Sequence, residues 1–427
     1  MKAPGRVLFL ATSANAEHGR GGRRRVVDVA RQAQLSGFEA GLLCFLPFSQ
    51  VLRGPRFWRR GKASLSEEAR APVRYFPMLP LTRLPLLSRL NSQWCALATW
   101  LVGRRAHATV FYGHGMLAAD IALRVPGWLR KQRVVADFHG VGSAEYAYFN
   151  HASSADRFVK YLEEREGYTL RAADQVIFVS ENMRLFFEQR YGAVWRTSAV
   201  IPCAVNLDEL KAPETAPRPA ELPETNQRLV LGYVGSAVAY QLPELMCTLF
   251  SEVHRRLPQA FFLILSRQKE AFEGYLHAAG VDPADAAVVS LDHAEVMRAL
   301  PAIDVGLLLR DDPVMSSTSS PVKFAEYLVS GVPVVLSPWA GDFSALAEWE
   351  KLGIALDPHS PDCAERVTAF LQEVCANRQD YARCCSGYAR ARLSWESYRG
   401  TLAAILAGRP ADTPLGDKDC VEESHAA

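Results

Sequence analysis

The chain has 427 residues, 49% of them hydrophobic and 22% charged, with a formal net charge of +2. That length holds two or three ordinary domains, each with its own core, and the composition is that of a globular rather than a disordered chain. So small a net charge excludes nucleic-acid binding over the whole surface, and no apolar run reaches the ~18–20 residues that span a bilayer. Nine Cys without Cys-x-x-Cys spacing exclude a disulfide framework and a structural zinc site, and fit a reducing, cytoplasmic compartment.

In chain order, Lys2 and Arg6 before Val7–Ala11 mimic the start of a signal peptide. The apolar run is shorter than the roughly 7–15 residues of an h-region, and the chain continues from it as a strand, a loop and a helix. Arg6–Thr12 reads as the first strand. Gly19-Arg20-Gly21-Gly22 is a glycine-rich turn into a helix near Arg23–Ser36, carried by Val26, Val27, Ala30, Ala33 and Leu35. Gly37 caps it and Ala40–Phe45 returns as a strand, which completes a βαβ unit. The glycines do not form a full Gly-x-Gly-x-x-Gly fingerprint, so bound NAD or FAD is not expected.

Arg53–Lys62 reads as a basic loop around Phe57 and Trp58. Within Leu79–Arg105, Leu87, Leu90, Trp94, Leu97 and Leu101 fall on one helical face. That face has two readings: an interfacial segment beside basic residues at a membrane surface, or a core stripe packed on the sheet. Ala108–Tyr112 and Arg133–Phe138 are strands, followed by His114-Gly115 and His139-Gly140, where open parallel sheets place their ligands. Asp174–Glu181 is a strand and helix start with Ser180 as cap, and Ala199–Pro202 and Val205–Asp208 come next.

Lys211–Arg228 is rich in Pro and Glu and reads as a linker. A second α/β series begins with Leu229–Val234, a strand ending in Gly235-Ser236. Helix Leu245–Leu257, strand Phe261–Leu265, strand Val288–Ser290, helix Ala294–Leu300 and strand Val305–Leu309 come next, then Arg310-Asp311-Asp312. Alternating strands and helices on both sides of a linker predict two doubly wound domains. The expected division is 1–210, a linker over 211–228, 229–385, a closing helix over 386–408 within an amphipathic stretch Ala382–Leu406, and a disordered tail over 409–427.

The most informative stretch is Ser319-Ser320-Pro321-Val322-Lys323-Phe324-Ala325-Glu326-Tyr327-Leu328-Val329-Ser330-Gly331-Val332-Pro333-Val334-Val335. Ser320 is an expected N-cap and Pro321 suits the first helical position. Gly331 ends the helix and Pro333 prevents its continuation. Lys323 in the first turn adds positive charge to free N–H groups, an arrangement that an anion such as a phosphate would satisfy. Glu326, one turn on, can accept hydrogen bonds from hydroxyls such as those of a ribose. The plainer reading is an exposed Lys–Glu pair at i,i+3.

Ser-Pro-x-Lys-Phe-x-Glu-Tyr-Leu-x-x-Gly-x-Pro-Val-Val resembles the C-domain signature of retaining glycosyltransferases of family 4, and the likeness extends from the first strand to about Leu406. It implies the GT-B fold, two Rossmann-like domains facing across a cleft. It implies that Glu326 binds the nucleotide ribose and that the helix N-terminus, near Ser320 and Gly235, faces the diphosphate. Asp137-Phe138-His139-Gly140 resembles the segment whose His meets the donor sugar, and Gly21 and Gly22 stand where a family loop approaches the donor phosphate and the acceptor. The family often carries an Arg and a Lys after the first C-domain strand and a second Glu eight residues before the ribose Glu. Here those positions are Ser236, Gln241 and Thr318.

Glycosyl transfer passes through an oxocarbenium-like sugar as the diphosphate departs with growing negative charge, so cations and N–H dipoles must stand where that charge develops. Asp311-Asp312 is adjacent rather than alternating and reads as a solvated loop, not a metal-binding pair. Lys323 and Arg310 are the candidate diphosphate ligands, with His139 and Gly140 at the donor sugar. The expected function is metal-independent, retaining transfer from a nucleotide-activated donor to a glycan or lipid-linked glycan, with no cofactor, no metal and possible peripheral contact at the inner face of the cell membrane. Two alternatives stay open: a nucleotide-sugar epimerase of the same fold class, and a non-catalytic GT-B partner subunit.

Overall fold

The computed structural model describes residues 5–12, 21–79, 84–207, 219, 221–225, 228–311 and 314–411. They form two compact units, one of Met1–Pro202 with Trp395–Asp417 and one built on Cys203–Ser394.

The first unit holds strands β1 (Arg6–Thr12), β2 (Glu39–Leu46), β3 (Val73–Pro77), β4 (Val110–His114), β5 (Arg133–Phe138), β6 (Gln175–Phe178) and β7 (Ser198–Val200). They pair in parallel in the order β3-β2-β1-β4-β5-β6-β7. The order reverses between β1 and β4, the switch point at which a doubly wound sheet opens a crevice. All five residues of β4 are buried, as expected of an inner strand covered on both faces.

The second unit repeats the plan with β8 (Leu229–Val234), β9 (Ala260–Leu265), β10 (Ala286–Val289), β11 (Val305–Leu308), β12 (Val334–Leu336) and β13 (Gly353–Ala355), in the order β10-β9-β8-β11-β12-β13. Its sheet is buried on both sides. Leu263, Leu308, Val334 and Leu336 enter one core cluster, while Phe262, Ile264, Leu307 and Val335 enter the other. Side chains alternate across a strand, so each short apolar run feeds two cores. Here the switch point lies between β8 and β11, next to Gly235 and Arg310.

Several expectations are corrected. The chain passes from the first unit to the second at Pro202–Cys203, not at 210, because Val205 is buried in the core of the second unit. The stretch read as a linker is not wholly bare, since Leu222 is buried in that same core; residues 208–218, 220 and 226–227 lie outside the described residues, as do 412–427 of the expected tail. The closing helix is two helices, Arg378–Arg392 and Trp395–Ala407. Between them Leu393 O accepts the Val205 N–H at 2.9 Å, and Val205 and Ser394 form an isolated parallel bridge. The two connecting stretches therefore run side by side. Trp395, Leu402 and Ile405 are then buried in the first unit.

The basic segment is no loop. Pro55 opens a helix, Pro55–Ala69, whose far end buries Leu65 and Ala69. Helix Pro85–Arg105 is turned opposite to its hydrophobic pattern. It buries Ser88, Asn91, Ser92, Cys95, Ala98 and Thr99 and exposes Leu86, Leu87, Leu90, Trp94, Leu97 and Leu101. The core reading of that stripe is therefore overturned. Small residues let the helix approach its neighbours closely, and Asn91 Oδ1 accepts the Leu79 N–H at 2.9 Å. No helix among the described residues is long and apolar enough to cross a membrane.

Candidate active-site residues

In the second unit, helix Val322–Val329 begins after Pro321, which stands at the cap position without a side-chain cap. Ser320 is not the N-cap, because its Oγ accepts the backbone N–H of Cys203 at 2.9 Å instead. The helix ends as expected: Gly331 has φ +79°, its N–H reaches Leu328 O at 2.9 Å and the Val332 N–H reaches Tyr327 O at 3.0 Å. Phe324 stacks on Phe343 with ring centroids 4.4 Å apart, and Tyr327 OH accepts the Val234 N–H at 2.9 Å. These contacts fix the helix against the end of β8.

Lys323 points back to that end. Its Nζ donates to Gln241 Oε1 and lies 5.0 Å from the centre of the Tyr233 ring. A Cβ on Gly235 would collide with this Nζ and with Tyr233 OH, so a glycine is needed there. Arg310 follows β11 and is buried. Its guanidinium lies 5.3 Å from the Tyr240 ring centroid, and its Nε has no hydrogen-bond partner among the described residues. The backbone is held by Ser337 Oγ, which accepts the Arg310 N–H at 2.8 Å.

Among the described residues neither cation forms an ion pair. Burial, then the Arg310 charge, push Lys323 down to about 7 against the pull of Glu326, and burial likewise lowers Arg310. The three departures from the family pattern are each engaged. Gln241 Nε2 donates to Tyr240 OH at 3.2 Å, Ser236 O accepts from Tyr233 OH at 2.8 Å, and Thr318 Oγ1 donates to Val314 O at 2.7 Å. Glu326 is half-buried, with His293 Nδ1 3.9 Å from its Oε1. Asp311 donates its N–H to Tyr240 O at 2.9 Å, and Asp312 lies outside the described residues.

In the first unit the centre is Asp137, fully buried at the end of β5. Arg25, from helix Gly21–Leu35, binds both carboxylate oxygens at 2.9 Å. It also donates to Pro202 O at 3.0 Å and lies 5.5 Å from the Trp395 ring. Tyr112 OH donates to Asp137 Oδ2 at 2.9 Å, and His139 Nε2 is 3.0 Å from the same oxygen. Burial alone would raise Asp137, but the Arg25 guanidinium, and then His139, hold its carboxyl well below the usual range. The ionised carboxylate accepts from His139 Nε2, and the other ring nitrogen, Nδ1, is buried and without a partner among the described residues. Burial brings His114 down to about 4, so it is neutral.

His114, Asp137 and His139 bring ligand atoms within 4.8 Å of one another. They do not fit a metal ion. Their one anion already holds a bidentate guanidinium and a phenol, and a divalent cation would be repelled by Arg25. The arrangement suits an ordered proton network.

The glycines differ from expectation. Gly21 and Gly22 are the first residues of helix Gly21–Leu35 rather than a loop, and Gly19 and Arg20 lie outside the described residues. Gly140 does not leave open space, since a Cβ there would collide with Glu145 Oε1. Sequence reading missed Arg25, Tyr112 and Glu145. Only the burial of an Arg in a helix otherwise read for its apolar face could have drawn attention to Arg25.

Residues 19–209 match the sequence profile of Glycosyltransferase Family 4. No curated protein matches the sequence. Among solved structures, Anabaena Alr3699/HepE in complex with UDP is 15% identical, with a TM-score of 0.67 over 94% of this chain and 99% of that one. Sucrose-phosphate synthase from Thermosynechococcus elongatus is 14% identical, with a TM-score of 0.64 over 94% and 97%. A glycosyltransferase from Rickettsia africae is 12% identical, with a TM-score of 0.66 over 94% and 97%. The shared fold is the two-domain Rossmann-like GT-B architecture. Together with the profile match, it supports a transferase enzyme of the glycosyltransferase class.

Proposed function

We propose that the chain transfers a sugar, with retention and without a metal ion, from a nucleoside-diphosphate donor to a glycan or lipid-linked glycan. The observation that carries this reading is the pair Lys323 and Arg310. Two enclosed cations that form no ion pair among the described residues stand at the switch point of the second unit, beside a helix N-terminus. Burying a charge unpaired is costly, and an anionic ligand would remove that cost. A leaving diphosphate is such a ligand, and its charge is largest in the transition state.

Glu326 is assigned to the ribose, Lys323, Arg310 and the helix N–H groups to the diphosphate, and His139 Nδ1 to a sugar hydroxyl. The neighbour solved with UDP supports a uridine nucleotide as the first one to try. A thermal-shift panel of nucleoside diphosphates tests the reading. Binding at 100 times Kd stabilises by about 2.7 kcal/mol. Failure of every nucleotide to stabilise the protein would favour the non-catalytic partner subunit, and a sugar nucleotide converted without any acceptor would identify an epimerase.

The exposed stripe of helix Pro85–Arg105 supports one addition. Large apolar patches left in water mark interaction surfaces. The same unit exposes Phe57 beside Arg53, Arg56, Arg59, Arg60 and Lys62, none in an ion pair among the described residues. An apolar face near unpaired cations suits the surface of an anionic bilayer. The proposed location is the inner face of the cell membrane, where a lipid-linked acceptor would lie.

A further inference from the structure

Glu145 stands in the first turn of helix Gly142–Asn150, and its carboxyl folds back over the loop that leaves β5. The place a Cβ would take on Gly140 overlaps its Oε1 and is 2.9 Å from its Cδ. The absence of a side chain on Gly140 therefore makes room for this carboxyl. A second acid, Glu166, lies behind it, fully buried on helix Arg157–Ala172. Glu166 is engaged throughout. Its Oε1 accepts the Ser143 N–H at 2.7 Å, and its Oε2 accepts the Ser143 hydroxyl at 2.9 Å and the Tyr191 hydroxyl at 3.0 Å. It thus caps helix Gly142–Asn150 from outside.

Glu145 is not needed for that task. Among the described residues no hydrogen bond or ion pair reaches its carboxyl. Burial, then the Glu166 charge, push it up to about 7. The other ionisable groups on that side, Tyr191 and Arg190, face Glu166. In the loop beneath, His139 offers an Nδ1 that also lacks a partner among the described residues. A half-buried carboxyl and a buried ring nitrogen, neither with a partner among the described residues, thus belong to one loop and helix start at the C-terminal end of a central strand, where parallel sheets bind ligands.

We propose that Glu145 binds the hydroxyl of the sugar-accepting substrate and takes its proton during transfer, beside the sugar contact assigned to His139. This rests on the transferase reading above. As the acceptor oxygen bonds to the anomeric carbon on the same face that the diphosphate leaves, which keeps the configuration, the bond from that carbon to the diphosphate oxygen breaks and its electron pair leaves with the diphosphate. The hydroxyl proton passes to a Glu145 oxygen and then to water. A base that is part ionised near neutral pH is suited to such a transfer.

The test needs no knowledge of the natural acceptor. A panel of nucleoside-diphosphate sugars identifies a donor that the wild type hydrolyses, with water as the acceptor, and diphosphate release is followed against pH. The wild-type kcat/KM should rise with pH along an acid limb that bends near 7. That acid-side bend is the one followed here, and the fall on the alkaline side that Lys323 imposes should be the same in every Glu145 variant. Glu145→Gln should lose that bend and fall by about 10²–10⁴-fold, while its affinity for the nucleoside diphosphate stays unchanged. Glu145→Asp should keep the bend at a reduced rate. A group raised on folding contributes stability below its unfolded pKa and loses it as pH rises through the folded value, so Glu145→Gln should also melt higher than wild type at pH 8. An unaltered bend in Glu145→Gln overturns this inference alone. A wild type that neither binds a nucleoside diphosphate nor hydrolyses any donor overturns the transferase reading and this inference with it.

Discussion

The ammonium of Lys323 donates a hydrogen bond to the side-chain oxygen of Gln241, 82 positions away in the chain. Gln241 thus holds the Lys323 ammonium against the end of β8, and Gly235 is the residue whose small size permits that approach.

Lys323→Ala and Arg310→Ala should each reduce transfer more than they weaken nucleoside diphosphate binding, because diphosphate charge grows in the transition state. Removing one such stabilising group costs about 10²–10³ in kcat. Lys323 is lowered to about 7 in the free protein, so kcat/KM should fall as pH rises through that value, while bound diphosphate should hold the ammonium charged. Lys323 contributes stability above its unfolded pKa and loses it as pH falls through about 7. Lys323→Met should therefore melt higher than wild type at pH 6. EDTA should leave activity intact, and strict dependence on Mg²⁺ would contradict the fixed-cation mechanism.

Glu326→Ala should weaken nucleoside diphosphate binding by about 1.5–3 kcal/mol, the range for hydrogen bonds to a charged group. The fold should survive, because His293 is its only ion-pair partner among the described residues and stands 3.9 Å away. Isothermal titration with paired melting curves decides the matter. Normal stability with unchanged affinity would remove the ribose assignment.

Asp137→Ala should be the most damaging single change to stability in the first unit. It leaves Arg25 buried without its carboxylate, and breaking a buried pair from one side costs about 3–5 kcal/mol. Urea unfolding should show this as a lower midpoint at unchanged slope. A loss below about 1 kcal/mol would mean that Arg25 finds solvent or another partner.

Purified protein should float with anionic vesicles at low salt. Binding should weaken with added salt and with Arg59 and Arg60 changed to Glu, since each basic residue near an anionic surface contributes about 1 kcal/mol. Leu90→Ser with Trp94→Ser should weaken it independently of salt. Protein that stays in the soluble fraction at low salt would end the membrane reading.

Strands β1, β5 and β8 were legible to the residue, and the helix after Ser320 was legible in both its start region and its stop. Each is a local matter: an apolar run bounded by polar residues, a proline that fits the first turn, a glycine that alone tolerates φ +79°. Strand β3 and helix Pro55–Ala69 were not legible. Strand β3 is only five residues, of which Val73 alone is buried, and in the helix basic residues cover the few apolar positions.

What the sequence by itself determined was the alternation of short apolar strands with helices, hence two doubly wound domains, and the residue types gathered around Lys323 and Glu326. Only the tertiary structure decided which charges meet. Arg25 and Asp137 are 112 residues apart and Lys323 and Gln241 are 82 apart, so no periodicity links them. It also decided which face of helix Pro85–Arg105 is turned inward. Its Leu and Trp stripe favours burial taken alone, but the neighbouring chain leaves room for Ser88, Asn91 and Thr99, and close packing of backbone against small side chains set the orientation.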